Sequence, residues 1–218
     1  MTDYAVARRR MVREQLVEGG LTDRRVLKAM EEVPRHLFVP KLLQHRAHQP
    51  SALPIGYGQT ISKPFTVGLM TSLLELQGHE HVLEVGTGSG YQGAILARLA
   101  HTVISVERVR PLAERSRVTL AKLGVENINV LALDGTEGVR DHAPFDAIMV
   151  TACAPVLPSH LVSQLKDGGH LLIPISKGRE QILYRYRRQG HEVSIEQSVS
   201  CRFVPLLSGL TEEGEQRA

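Results

Sequence analysis

The sequence predicts an α/β fold, a mostly parallel central sheet covered by helices on both faces, with an N-terminal helical extension. Three observations carry the prediction. Short apolar strands rich in Val, Ile and Leu alternate with helical segments from residue 65 onward, which is the pattern of strands buried on both faces. A glycine-rich turn, Gly86-Thr87-Gly88-Ser89-Gly90, joins one of these strands to a helix, and later strands end in acidic residues. The chain of 218 residues, 42% hydrophobic and 22% charged, is the size and composition of one well-buried domain spanning 1–218.

The elements follow in order. From Asp3 to about Gly19, Tyr4, Met11, Val12, Leu16 and Val17 recur among charges at near-helical spacing, and Gly19-Gly20 ends the pattern. Thr22-Asp23 caps a second helix that carries Val26, Leu27, Met30 and Val33 and stops at Pro34. Between Phe38 and Pro64 periodicity is lost while His, Pro and Gly accumulate, so this stretch reads as a long functional loop that covers the site. A helix over 65–76 precedes the regular alternation: strand 82–85, helix 91–100, strand 102–106, helix 111–123, strands 129–133 and 146–150, and helix 158–165 closed by Asp167-Gly168-Gly169. Leu171 to Pro174 is a further buried strand. Residues 181–187 and 192–199 alternate with period two, as antiparallel strands that finish the sheet do, and 211–218 is polar and reads as a loose tail.

Composition bounds the partners. A net charge of +3 and a pI near 9.0 would suit a nucleic-acid binder, but the basic residues are scattered apart from Arg8-Arg9-Arg10 and Arg185 to Arg188, which read as solvated faces. Cys153 and Cys201 lie far apart with no metal-ligand spacing, so no metal is expected and a reduced compartment fits. No apolar run approaches the roughly 20 residues that span a bilayer, and the N-terminus lacks the apolar core of a secretory signal. The expectation is a cytoplasmic protein with neither membrane nor nucleic acid as partner. No coil or long apolar edge requires an oligomer, so a monomer is the default.

In open α/β sheets ligands bind beyond the carboxyl ends of the strands. Gly86, Gly88 and Gly90 permit a tight turn and close backbone approach, with helix N–H groups facing the ligand. A dinucleotide fingerprint would place a small residue at 91, where Tyr91 stands, and Gly-x-Gly-x-Gly preceded by an acidic residue instead resembles the first motif of S-adenosylmethionine-dependent methyltransferases. Glu84 either orients the turn or meets the ligand's ammonium group. Glu107, about 20 residues beyond the loop, stands where a carboxylate accepts ribose hydroxyls. Asp134 can accept from an adenine amino group and Gly135 lets the backbone pass the ring; the structural alternative for Glu107 and Asp134 is helix capping. Upstream, Gln59-Thr60-Ile61-Ser62-Lys63-Pro64 either begins a helix or folds over the same sheet edge.

These motifs together resemble the protein-L-isoaspartate (D-aspartate) O-methyltransferase family. The resemblance rests on Gln59-Thr60-Ile61-Ser62-x-Pro64, on Val82 through Gln92, on Ser105-Val106-Glu107-Arg108, on Asp134-Gly135, on Val33-Pro34-Arg35-x-x-Phe38-Val39-Pro40 and on Arg202-Phe203-Val204-Pro205-Leu206, and it covers nearly the whole chain. Leu133 and Thr136 depart from the family's usual glycine and aromatic residue, and Cys153 stands where alanine is commoner. The resemblance implies a Rossmann-like class I methyltransferase that moves a methyl group from S-adenosyl-L-methionine to the α-carboxylate of L-isoaspartyl residues in damaged proteins and peptides. The ester then closes to a succinimide, part of which reopens to aspartate. On the resemblance, Ser62 holds the acceptor carboxylate, Thr60 and Ile61 shape the passage to the methyl group, and Val204 and Leu206 line the peptide groove. It also implies donor contacts from Gln59, Thr60, Ile61, Glu84, Gly86, Thr87, Gly88, Ser89, Gly90, Glu107, Arg108, Asp134 and Gly135. Two other functions are weighed against it. The first is a methyltransferase of nucleic acid or of a small metabolite, of which the DNA amino-methylating kind would carry an Asn/Asp-Pro-Pro-aromatic motif where this chain has Val150-Thr151-Ala152-Cys153-Ala154-Pro155; the second, a non-catalytic binding protein, has no need of the acidic and glycine positions present here.

Overall fold

Asp3 and Asp23 set where the first two helices begin. In the computed structural model, which describes residues 3–190 and 192–213, Asp3 Oδ1 accepts from the Ala5 and Val6 amides at 2.9 and 3.2 Å, and Asp23 caps Arg25 and Val26 in the same way. Helix α1 (Tyr4–Met11) runs on as wider π-helical turns over Val12–Val17, and α2 (Arg24–Glu32) ends two residues before Pro34. The region expected to be loop is more ordered than its composition suggests. After 3₁₀ turns at Arg35–Phe38 and Lys41–Arg46, strands β1 (Leu53–Gly56) and β2 (Gln59–Ile61) form an antiparallel hairpin. Its turn holds Gly56, Tyr57 and Gly58 at φ of 90°, 56° and 68°, a left-handed run that two glycines make accessible.

Pro64 occupies the first turn of α3 (Pro64–Leu73), where its missing N–H leaves no helical bond unmade. The alternation then runs β3 (His81–Val85), α4 (Tyr91–Ala97), β4 (Thr102–Glu107), α5 (Arg110–Lys122), β5 (Ile128–Ala132), β6 (Phe145–Val150), α6 (Ser159–Ser163), β7 (Leu165–Lys177), β8 (Glu180–Gln189) and β9 (Glu192–Cys201). The seven main strands stand in the order β5-β4-β3-β6-β7-β8-β9, with the pairs through β7 parallel and the last two antiparallel. Strand order turns back on itself between β3 and β6, so the carboxyl ends of these neighbours flank the crevice. Two boundaries differ from expectation. Asp167-Gly168-Gly169 closes no helix: it lies within β7, whose pairing with β6 shifts register there, and Gly168 takes φ 78°. Thr211 is not loose, since its amide donates to the Arg108 carbonyl at 2.9 Å while Arg110 N donates back to its carbonyl at 3.0 Å; residues 214–218 lie outside the described part.

Alternate residues of each strand enter two cores. Val82 and Val103 pack with Leu16, Met30, Met70 and Ile95 under the N-terminal helices, while Leu83, Val85 and Ile148 face Phe145, Leu161 and Ile173. The N-terminal extension is therefore part of one core rather than an appendage. Arg185, 4% exposed, ties the far end of the sheet to the end of α3 by a two-pronged bond to Glu75 at 2.8 and 2.7 Å. Glu75 itself holds φ at 52°.

Candidate active site

The loop after β3 is closed by its own backbone. Gly86 and Thr87 amides donate to the Val106 carbonyl at 2.8 and 3.1 Å, the Gly88 amide donates to Glu107 Oε2 at 2.7 Å, and Gly90, at φ 89°, opens α4. Gly86, at φ 101°, has no room for a side chain: a Cβ there would sit 2.3 Å from Thr151 Oγ1. Behind the loop a chain of hydroxyls reaches Glu84. Thr87 Oγ1 lies 2.5 Å from Ser105 Oγ, which donates to Glu84 Oε2 at 2.5 Å. Glu84 is fully buried on the α4 side of the sheet, and burial pushes its carboxyl up to about 8, so it is neutral at pH 7. It lines none of the three cavities described below, and its bonded oxygen reaches the loop through Ser105 and Thr87.

Three connected cavities lie over the carboxyl ends of β3, β4 and β6. The first is lined by Val85, Gly86, Glu107, Arg108, Gly135 and the segment Val204 to Leu207. The second lies between Ile61, Ser62, Met70, Gly86 to Ser89, Tyr91 and Gln92. The third, a cleft of about 490 Å³, runs between Ser62, Lys63 and Thr66 on one side and Ser200 to Val204 on the other. Thr60 and Thr151 line all three, so the three spaces meet between them. Thr151 follows directly on β6, and its hydroxyl donates to the Gly86 carbonyl at 2.6 Å; sequence reasoning missed it, although a polar residue at a strand end beside the switch point was the available signal.

Glu107 fits a polyhydroxyl ligand. Its two oxygens each accept one backbone N–H, from Gly88 at 2.7 Å and Val109 at 3.0 Å, which leaves a lone pair on each for further donors, and burial raises its pKa. Asp134 caps the turn that follows it, as the structural alternative allowed. Its Oδ1 accepts from the Thr136 amide and hydroxyl at 2.9 and 2.7 Å, its Oδ2 from the Gly209 amide at 2.5 Å, and these bonds hold its pKa low against the opposing effect of burial. Gly135 rather than Asp134 faces the first cavity, and a Cβ at 135 would lie 2.5 Å from Val85 Cγ1. Arg108 lines the same cavity and donates to the Ser208 and Gly209 carbonyls at 3.3 and 3.0 Å. Gln59 lines the first cavity too. Gly90 turns toward Ser116 and Leu120 of α5 and lines none of these three cavities.

Toward the third cavity, Ser62 is held by its backbone. The buried Arg35 donates to the Ser62 carbonyl and to the Ala47 carbonyl, each at 2.7 Å, and lies 4.8 Å from the Tyr91 ring centre. Among the described residues nothing hydrogen-bonds the Ser62 hydroxyl, which sits where the second and third cavities join. Val204 lines the first and third cavities. Leu206, expected in the peptide groove, lies along the first cavity only, because its amide is drawn to the Cys153 carbonyl at 2.7 Å. Among the described residues no group of three His, Cys, Asp or Glu side chains is arranged to hold a metal ion, and no helix is long and apolar enough to cross a membrane.

A profile of the protein-L-isoaspartate(D-aspartate) O-methyltransferase family matches residues 7–211. The chain belongs to this family. It is 51% identical over 216 residues to a protein-L-isoaspartate O-methyltransferase 2 of Geotalea uraniireducens, covering 99% of this chain and 100% of the relative. A protein-L-isoaspartate O-methyltransferase of Methanoculleus marisnigri is 47% identical over 209 residues, 95% of this chain and 94% of its own length. A solved protein-L-isoaspartate O-methyltransferase superposes with a TM-score of 0.83 at 27% identity, over 93% of this chain and 67% of that one. A Plasmodium falciparum chain solved with S-adenosyl-L-homocysteine, 24% identical, shares the fold with a TM-score of 0.81, over 92% of this chain and 98% of that one.

Proposed function

We propose that the chain is a protein repair methyltransferase whose donor is held in the first two cavities and whose isoaspartyl acceptor enters through the third. The single observation that carries the assignment of cavities is their meeting point between Thr60 and Thr151, with the free Ser62 hydroxyl beside it on the acceptor side. S-adenosyl-L-methionine supplies an electrophilic methyl group on a sulfonium. The residues suited to hold it are Glu107 by its two open lone pairs, Gly86 to Ser89 by their backbone, Gln59, Thr60 and Ile61 from the hairpin, and Arg108 and Gly135 at the far end. Asp134 keeps a lone pair on Oδ2 for a donor reaching it from the same side.

The acceptor needs no general base. A carboxylate is ionised at neutral pH, so the work left to the protein is alignment and removal of water. Ser62 Oγ–H donates to one carboxylate oxygen and leaves the other free to attack, and Arg35 fixes that hydroxyl by holding the backbone behind it. Apolar walls from Ile61, Met70 and Val204 keep the junction dry, which favours a step in which opposite charges cancel. The chain acts as a monomer in the cytoplasm, with no role for nucleic acid or membrane.

The test is tritiated S-adenosylmethionine with an isoaspartyl peptide and its normal aspartyl twin. Base-labile label confined to the isoaspartyl peptide is expected. Ser62→Ala should lower kcat about 10- to 100-fold while the donor's Kd, measured by calorimetry, stays within about threefold, the cost of one orienting hydrogen bond. Unchanged turnover in that variant would remove the role given to Ser62.

A further inference from the structure

The acceptor cleft carries an electrical sign that methyl transfer does not require. Its two charged lining residues are both cations, Lys63 on the wall before α3 and Arg202 on the wall after β9. The rest of the lining is neutral, including Thr60, Ser62, Thr66 and Ser200. Both cations are exposed, and among the described residues neither side chain has an ion-pair or hydrogen-bond partner. This sets them apart from other charges near the cleft. Glu14, in the neighbouring space that Lys63 also borders, is engaged by Arg13 at 2.8 Å.

The position of the pair fits the flanks of a substrate better than its reacting group. Lys63 follows Ser62 in an extended stretch, φ −54° and ψ 145°, so the two side chains diverge, and Lys63 reaches the space beyond the cleft, between Gln15, Pro50 and Phe65. A cation bound directly to the acceptor carboxylate would draw electron density from the attacking oxygen. Cations at the mouth do not, and a cleft lined by one sign of charge concentrates ligands of the other.

We propose that Lys63 and Arg202 make this enzyme prefer isoaspartyl sites flanked by acidic residues. The preference rests on the methyl-transfer reading above. It acts on encounter and binding, so it enters KM and leaves kcat alone.

Three isoaspartyl peptides that differ only in carrying Glu, Gln or Lys on both sides of the isoaspartate test it, with tritiated S-adenosylmethionine as donor. At about 20 mM salt the Glu peptide should show a KM about fivefold or more below that of the Lys peptide, with kcat equal within about twofold, as expected for two partly screened ion pairs. The ratio should collapse toward one in a Lys63→Gln/Arg202→Gln double variant and in 0.5 M salt. Equal KM values in the wild-type enzyme, or a ratio that survives in the double variant, would overturn the preference alone. Absence of label on every isoaspartyl peptide would remove the methyl-transfer reading and the preference together, so the two failures look different.

Discussion

Glu84 holds a carboxyl group against the face of the sheet with one oxygen bonded by Ser105 and the other without a partner. Its raised pKa has a consequence for stability. Between the ordinary carboxylate range and about pH 8 the folded chain keeps a proton that the unfolded chain has lost, so this group stabilises the fold fully at low pH and loses that contribution as pH rises through about 8. The slope reaches at most about 1.4 kcal/mol per pH unit. Glu84→Gln, neutral at every pH and able to accept from Ser105, should match the wild type near pH 5 and exceed it at pH 8.5 in urea denaturation. Equal pH slopes for the two proteins would contradict a buried, neutral Glu84. The sequence allowed Glu84 two roles, turn or ligand, because a motif fixes spacing but not the face on which a side chain lands. Arg35 was legible only as part of a motif. Its work, a buried cation serving two carbonyls from distant segments, is a tertiary fact with no local signature.

At the scale of elements, the glycine loop and Thr151 are one unit. Gly86→Ala meets two obstacles, a φ of 101° and a Cβ 2.3 Å from Thr151 Oγ1. The first costs about 1 kcal/mol, and the clash adds a further 1–3 kcal/mol. Thr151→Ala removes the second obstacle but not the first. In a double-mutant cycle read by chemical denaturation, the pair of changes should therefore cost less than the sum of the singles by at least about 1 kcal/mol. Additive costs would show that the backbone, not the methyl clash, excludes a side chain at 86. Strands and helices from β3 onward were legible because burial on both faces writes long apolar runs into the sequence. The β1–β2 hairpin was not. Its strands are four and three residues long, and its turn uses Tyr57 at positive φ, so neither period nor turn chemistry announced it. Asp167-Gly168-Gly169 misled in the opposite direction, since glycine marks a bulge as readily as a helix end.

Across the whole molecule, the C-terminal segment acts as a wall built after the sheet is complete. The Cys153 amide donates to Val204 and the Leu206 amide to Cys153, both at 2.7 Å, while Gln181 exchanges hydrogen bonds with both backbone groups of Phe203 at 2.6 and 3.2 Å. Val204 to Leu207 then border the first cavity. A chain ending at Arg202 keeps every strand, and its far-ultraviolet circular dichroism should match the full chain. Its donor affinity, read by calorimetry, should fall at least about tenfold with the loss of four lining residues. Retained affinity would mean that the wall serves the acceptor alone. The fold class was legible at this scale. What sequence did not reveal is that Leu206 lines the first cavity and not the third, because its place depends on pairing with a residue some 50 positions earlier.

The junction between Thr60 and Thr151 is framed by residues made early and late in synthesis. Ser62 and the glycine loop lie within the first 90 of the 218 residues, and Arg202 to Leu207 lie beyond residue 200. A nascent chain that has reached the end of β9 therefore carries most of the lining of all three cavities, but the wall of Val204 to Leu207 that borders the first is added only afterwards. A single proteolytic cut after β9 thus strips four lining residues from the first cavity while every strand stays in place.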